Sequence, residues 1–153
     1  MNNIFIKKLM RQIIILGRWY EISTLQPQKL RIIITEENPD IQSLLAGTFA
    51  LKGYQVFKAF DADQCLRKIA ELNNQVDIVV MDGRTASNRG VMLIIKIKRL
   101  NPEIKIFAIA DDENDKTRIL EYGAEEFAIK PISAETIVDK LTNIFLKERQ
   151  ITK

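Results

Sequence analysis

The sequence predicts an α/β domain in which five parallel strands form one sheet with helices on both faces. Three observations support this prediction. Short, β-branched apolar runs recur five times, helical apolar patterns lie between them, and the connections are short enough for right-handed crossovers. The chain has 153 residues, of which 46% are hydrophobic and 28% charged, and this composition is ordinary for one folded domain.

The absence of histidine and the single cysteine exclude several kinds of site. Without histidine, the chain cannot form a His-ligated zinc site or a Ser-His or Cys-His nucleophile. Cys65 alone cannot form an internal disulfide, and it is predicted to be a small core residue. This cysteine usage is typical of a reducing compartment, so we expect a cytoplasmic protein.

The strands and helices can be assigned in chain order. The predicted strands are 30–35, 54–59, 76–81, 104–110 and 127–129. The predicted helices follow them, beginning at Asn38-Pro39, Asp61, Val91, Asp111 and Ser133. The first helix is expected to bury Ile41, Leu44, Leu45 and Thr48, and the last to bury Ile137, Leu141, Ile144 and Phe145.

Residues 1–29 are predicted to be a basic amphipathic extension and linker, residues 30–147 the folded domain and residues 148–153 a charged tail. Apolar residues at helical spacing in the extension, from Ile6 to Tyr20, predict a helix. It could contact a partner protein, a second copy in a homodimer or a membrane surface, or have no separate role.

The positive charge of the chain is concentrated in this extension. The net charge is +3, yet residues 1–29 contain five lysine and arginine residues and only one glutamate. The folded part is therefore slightly acidic, which disfavours a DNA-binding role. No DNA-binding domain is expected after residue 147.

Charged residues follow three of the predicted strands at their carboxyl ends. Glu36-Glu37 follow the first strand, Asp82 the third and Lys130-Pro131 the fifth. Parallel strands bring these ends to one edge of the sheet, where open α/β sheets bind ligands. Clustered carboxylates without histidine suit Mg²⁺, and a nearby lysine can neutralise a phosphoryl group. An exposed aspartate at such a position can act as a nucleophile toward phosphorus.

Residues 30–145 resemble the receiver domain of two-component response regulators. The resemblance rests on the acidic pair followed by Asn38-Pro39, on VVMD at 79–82 and on EYGAEEFAIKP at 121–131. It implies a flavodoxin-like (βα)5 three-layer sandwich with strand order 2-1-3-4-5. It also implies a histidine kinase or phosphotransfer protein as phosphodonor and a downstream protein of unknown identity.

The resemblance also implies roles for individual residues. Asp82 would accept the phosphoryl group, and Lys130 would contact its oxygens. The side chains of Glu37 and Asp82 and the backbone carbonyl of Arg84 would bind Mg²⁺ directly. The remaining positions would be Glu36 as a ligand through water, Pro131 as a cis-proline and Ala110 and Phe127 as the switch positions.

Three features depart from the family pattern. The acidic pair is Glu-Glu where the family prefers Asp-Asp, which alters the reach of the Mg²⁺ ligands. Ala110 replaces the Ser or Thr that hydrogen-bonds the phosphoryl group, so the usual coupling to Phe127 lacks its first contact. The loop after Asp82 lacks the usual proline, and Arg84 or Arg89 either neutralises the carboxylates or is simply solvated.

Two functional hypotheses follow, and neither is an enzyme acting on a separate substrate. The first is a stand-alone response regulator that is phosphorylated on Asp82 and signals through protein contacts of the fourth and fifth helices and the fifth strand. The alternative is a degenerate pseudo-receiver that acts as a phosphorylation-independent interaction module. A nucleotide-binding enzyme is disfavoured, because no glycine-rich phosphate loop follows the first strand and Glu36-Glu37 would repel phosphate.

Overall fold

A computed structural model describes most of the chain. It covers the backbone of residues 12–15 and 18–21 and then residues 29–81 and 88–151, with side chains for residues 29–81 and 89–144. Within these residues, no helix is both long enough and apolar enough to cross a membrane.

The N-terminal extension contains two strands rather than the predicted helix. Strands β1 (Gln12–Ile15) and β2 (Arg18–Glu21) pair antiparallel, with Gln12 opposite Glu21. The helical prediction is therefore wrong over these residues. Three consecutive isoleucines in β1 and the aromatic pair Trp19-Tyr20 in β2 have high strand propensity, which the helical spacing of apolar residues did not take into account. The rest of the predicted extension, up to residue 28, lies outside the described residues.

Five parallel strands form the main sheet. They are β3 (Arg31–Thr35), β4 (Gln55–Ala59), β5 (Ile78–Met81), β6 (Lys105–Ala110) and β7 (Glu126–Ile129). Their order across the sheet is β4-β3-β5-β6-β7, which is 2-1-3-4-5 counted from β3. The predicted flavodoxin-like topology is confirmed.

Five helices connect or follow these strands. They are α1 (Pro39–Leu51), α2 (Ala62–Glu71), α3 (Asn88–Leu100), α4 (Lys116–Glu121) and α5 (Ala134–Ile151). The fourth helix is shorter than predicted, because residues 113–115 form a 3₁₀ turn capped by Asp112. Helix α5 continues into the predicted charged tail and ends at Ile151.

The predicted caps of α1 and α2 are confirmed, whereas α3 begins at Asn88 rather than at the predicted Val91. The Asn38 side chain accepts hydrogen bonds from the backbone of Asp40 and Ile41, which caps α1. Asp61 caps α2 in the same way. The chain leaves α1 and α4 through Gly53 and Gly123, whose φ angles of 92° and 116° lie in the region that glycine adopts without strain.

The sheet is buried on both faces and separates two apolar layers. Alternate residues of β3 belong to different layers, because successive strand side chains point to opposite faces. Ile33 packs with residues of α2, α3 and α4, whereas Ile32 and Ile34 pack with residues of α1 and α5. This three-layer arrangement explains why the strands are apolar throughout rather than alternating.

The buried face of α1 is shifted by one residue position from the predicted face. The structure buries Gln42, Leu45, Ala46 and Phe49, whereas Leu44 is 65% exposed and Ile41 is also exposed. Of the predicted stripe, only Leu45 is fully buried. The predicted face was chosen from apolar residues alone. Gln42 is polar, so the prediction fell on the neighbouring apolar face of the helix.

The residues predicted to be buried in α5, and Cys65 in α2, are buried or packed against the core wherever their side chains are described. In α5, Ile137 and Leu141 are buried and Ile144 packs against the same layer, while the side chain of Phe145 lies outside the described residues. Cys65 is buried in α2, as expected of a core residue. Burial raises the pKa of its thiol to about 11, and the adjacent Thr35 hydroxyl partly opposes this rise.

The neighbouring leucines of α1 give a matched stability test. Replacing Leu45, which is 5% exposed, by alanine should lower the free energy of unfolding by about 2–5 kcal/mol, because buried apolar contacts are lost. Replacing Leu44 by alanine should change it by about 0.5 kcal/mol or less. Urea denaturation followed by circular dichroism measures both. Equal losses for the two variants would contradict the assigned burial of α1.

Candidate functional site

The carboxyl ends of the strands lie side by side at one edge of the sheet. Thr35, the last residue of β3, pairs with Met81, the last residue of β5, and Ala110 at the end of β6 pairs with Ile129 of β7. Asp82 follows Met81 directly in the sequence. Asp82 and Arg84, the predicted phosphoacceptor and the predicted carbonyl ligand, both lie outside the described residues.

The two predicted carboxylates after β3 have different environments. Glu36 is only 4% exposed, and its Oε1 accepts a hydrogen bond of 2.7 Å from the backbone N–H of Asn38. Its own N–H donates to the carbonyl of Ala59 at the end of β4 (3.1 Å). Glu37 is exposed to solvent. One carboxylate is therefore held by the loop backbone, whereas the other extends from the surface.

A residue that sequence reasoning missed connects this loop to the sheet. Gln42 of α1 is buried, and its side-chain amide Nε2 donates to the carbonyls of Glu36 (3.2 Å) and Ala59 (2.8 Å). The side chain thereby joins α1 to the ends of β3 and β4. A polar residue in an otherwise apolar helical stripe was the available signal, because buried polar groups are nearly always hydrogen-bonded.

Strand β7 is followed by Lys130 and Pro131 at the same edge of the sheet. The Lys130 N–H donates to the carbonyl of Ala110 (2.9 Å), which places Lys130 directly beside the end of β6. The Lys130–Pro131 peptide bond is cis, as the resemblance implied. Of the predicted site, the described residues thus bring together Glu36, Glu37, Ala110 and Lys130-Pro131.

The two switch positions belong to the core. Ala110 is buried at the end of β6, and Phe127 on β7 is 6% exposed. Both are members of the apolar layer that faces α2, α3 and α4. An alanine methyl group offers no hydrogen bond to a ligand at the edge, so position 110 supplies only apolar contact to this layer.

The residues present fit a hard cation in their chemistry. The described residues contain no group of three or more carboxylate, cysteine or histidine side chains able to hold a metal ion. The third predicted carboxylate is Asp82, which they do not include. Glu36 and Glu37 supply carboxylate oxygens, the donor type that Mg²⁺ prefers. Arg89, one of the two arginines that the sequence offers for neutralising these carboxylates, is exposed at the start of α3.

Comparison with known proteins gives a consistent result. Residues 32–142 match the family described as the response regulator receiver domain. The chain is 31% identical over 124 residues to the transcriptional regulatory protein AruR of Pseudomonas aeruginosa, which covers 78% of this chain and 50% of AruR. It is 32% identical over 111 residues to the nitrogen assimilation regulatory protein NtrX of Azorhizobium caulinodans, which covers 70% of this chain and 24% of NtrX.

Solved structures show the same fold. A CheY-like response regulator receiver domain protein from Methanospirillum hungatei JF-1 superimposes with a TM-score of 0.71 at 21% identity, covering 80% of this chain and 98% of that one. A receiver domain protein from Clostridium thermocellum gives a TM-score of 0.69 at 20% identity, covering 80% of this chain and 98% of that one. The chain spans about half the length of AruR and about a quarter of the length of NtrX.

The contacts of Gln42 generate a prediction about the edge of the sheet. Gln42→Leu keeps the size of the side chain but removes both donors, so it should lower the free energy of unfolding by about 1–3 kcal/mol. Gln64→Leu is the matched control, because the half-buried Gln64 side chain accepts one hydrogen bond, from the Phe60 N–H, among the described residues. Urea denaturation of both variants checks this. If Gln42→Leu lowered the free energy of unfolding no more than Gln64→Leu, the two hydrogen bonds of Gln42 would contribute nothing to stability.

Proposed function

We propose that this chain, which belongs to the response regulator receiver domain family, accepts a phosphoryl group on Asp82 from a histidine kinase or phosphotransfer protein and signals through protein contacts. The observation that carries the proposal is the shared edge of the sheet. The end of β5, after which Asp82 follows, lies between the Glu36-Glu37 loop and the strand that delivers Lys130.

The proposed reaction is a phosphoryl transfer between two proteins. A carboxylate oxygen of Asp82 attacks phosphorus as the bond from phosphorus to the donor's histidine nitrogen breaks. The products are an acyl phosphate on this chain and a histidine that retains the electron pair of the broken bond. The ammonium group of Lys130 offsets negative charge on the phosphoryl oxygens as a point charge.

The acidic loop has the proposed role of holding Mg²⁺ together with Asp82 and the backbone carbonyl of Arg84. When bound, Mg²⁺ offsets the negative charge of the carboxylates and of the phosphoryl group. Glu37 is exposed and therefore suited to direct ligation, whereas Glu36 is suited to ligation through water because its Oε1 already accepts the Asn38 N–H. Gln42 fixes the backbone from which both glutamates extend.

An exposed apolar stripe on α1 is suited to docking of the phosphodonor. Ile41, Leu44 and Leu51 are exposed on this helix, which begins directly after the acidic loop. Apolar side chains exposed together are typical of protein-interaction surfaces. A partner seated on α1 would therefore lie next to the carboxyl edge of the sheet, where its phosphohistidine has to react.

Phosphorylation can be tested without the natural donor. With Mg²⁺ and acetyl phosphate, the full chain should gain the mass of one phosphoryl group, and Asp82→Asn should abolish this gain because an amide cannot form the acyl phosphate. Asp111→Asn is the control, since Asp111 is an exposed aspartate that follows Ala110 at the same edge. Intact-protein mass spectrometry measures the adduct. Absence of an adduct on the unsubstituted chain at millimolar Mg²⁺ would refute the proposal.

A second candidate function is a phosphorylation-independent interaction module. The observation that favours it is the pair of switch positions, Ala110 without a hydroxyl group and Phe127 already buried in the apolar layer. A phosphoryl group at the edge would find no hydrogen-bond donor at position 110. In this case the surface that partners recognise would be the same in both states of Asp82.

The Ala110→Ser variant distinguishes the two candidates. In the unsubstituted chain, the second candidate predicts that a beryllofluoride adduct leaves the NMR signals of the Phe127 ring unchanged, because position 110 has no side-chain donor, whereas the first candidate predicts a shift. Ala110→Ser supplies a donor at the edge, so the adduct should then shift these signals. Asp82→Asn combined with Ala110→Ser is the control and should show no shift. A shift in the unsubstituted chain would show that the switch operates without the hydroxyl group and would exclude the second candidate.

A further inference from the structure

The outer surface of helix α3 is strongly basic and partly apolar. The helix contains four lysine and arginine residues and no acidic residue. Met92, Lys96, Arg99 and Leu100 are all exposed, and their spacing places them along one side of the helix. This side faces away from the sheet, since Leu93, Ile94 and Ile97 occupy the apolar layer.

A groove lies between this surface and α2. Its volume is about 480 Å³, and it is lined by Leu66, Arg67, Ala70, Lys96, Arg99 and Leu100. The three cations at its rim, Arg67, Lys96 and Arg99, form no hydrogen bond or ion pair with the part of the chain that the structure describes. By contrast, Lys98 on another side of α3 pairs with Glu125 at 2.5 Å.

The segment that leads into the neighbouring helix carries the opposite charge. Residues 111–115 contain four acidic residues and no basic one, whereas α4 itself contains two basic residues and one acidic residue. Leu120 and Tyr122, at the end of α4, are exposed. Helix α3 contacts both α2 and α4, and the acidic residues lead directly into α4.

We propose that this face is a dimer interface, in which α3 and the α2–α3 groove of one copy bind the acidic 111–122 segment of a second copy. A two-fold axis midway between the basic side of α3 and residues 111–115 places the basic side of each copy opposite the acidic residues of the partner. Charge complementarity of this kind fixes the orientation of two copies, and the exposed leucines supply apolar contact. The proposal does not depend on phosphorylation of Asp82.

The basic N-terminal extension is a poorer occupant of the groove. Residues 1–29 carry an excess of four positive charges, which the cationic rim repels. The acidic segment of a second copy is attracted by the same rim. The full chain should therefore self-associate at micromolar concentration in low salt. The association should weaken as salt shortens the Debye length from about 10 Å at 0.1 M to about 3 Å at 1 M.

A charge-swap experiment on the full chain tests this interface. Lys96→Glu/Arg99→Glu reverses the basic half, and Glu113→Lys/Glu121→Lys reverses the acidic half. Each double variant alone should raise the dimer dissociation constant about tenfold or more in sedimentation equilibrium. An equimolar mixture of the two should restore association, because each contact of the mixed dimer again joins opposite charges.

The control matches the first variant in net charge. Lys52→Glu/Lys58→Glu reverses two exposed lysines at the other side of the molecule, where Lys58 lies within 3.4 Å of Ser43 of α1. This variant should associate like the unsubstituted chain. A monomeric unsubstituted chain in low salt, a dimer unaffected by both reversals, or a mixture that stays monomeric would each overturn the proposed interface.

Discussion

The structure depends on burial of both faces of one parallel sheet. Strand residues such as Ile33 and Ile34 contact opposite apolar layers, so no strand can shift or reverse without exposing one of them. Parallel pairing in turn requires a helix between consecutive strands and aligns all carboxyl ends on one edge. The ends of β3, β5 and β7, which are far apart in sequence, are brought to one edge by this constraint.

Polar contacts then shape this edge. Gln42 donates to carbonyls at the ends of two strands, and Glu36 accepts the N–H of Asn38, the residue that also caps α1. The start of α1, the acidic loop and the end of β4 thus share one hydrogen-bond network. Removal of one buried partner leaves the others unsatisfied, which is why a single glutamine matters to the edge.

The predicted phosphorylation site and the predicted switch position differ in how well they match the family pattern, and the difference lies at Ala110. The carboxylates and Lys130 are of the type needed for phosphoryl transfer, but Ala110 brings only a methyl group to the same edge. Phe127 is already buried without any hydrogen bond from position 110. Under the second candidate function, a phosphoryl group on Asp82 leaves the surface presented to partners unchanged. Recognition then depends on fixed features such as the basic side of α3.

The sequence by itself determined the parallel α/β fold, the strand order implied by the resemblance, the helix caps and the cis Lys130–Pro131 bond. The fold class and the caps follow from local signals, namely β-branched runs and capping residues, whereas the strand order and the cis bond were implied by the resemblance to receiver domains. The strand propensity of β1 and β2 was present in the sequence, whereas the burial of Gln42 instead of Leu44 and the contacts of basic α3 with α2 and α4 were decided only by the tertiary structure. Each depends on which neighbour a side chain or strand meets, because a buried glutamine is stable only where two carbonyls accept its hydrogen bonds.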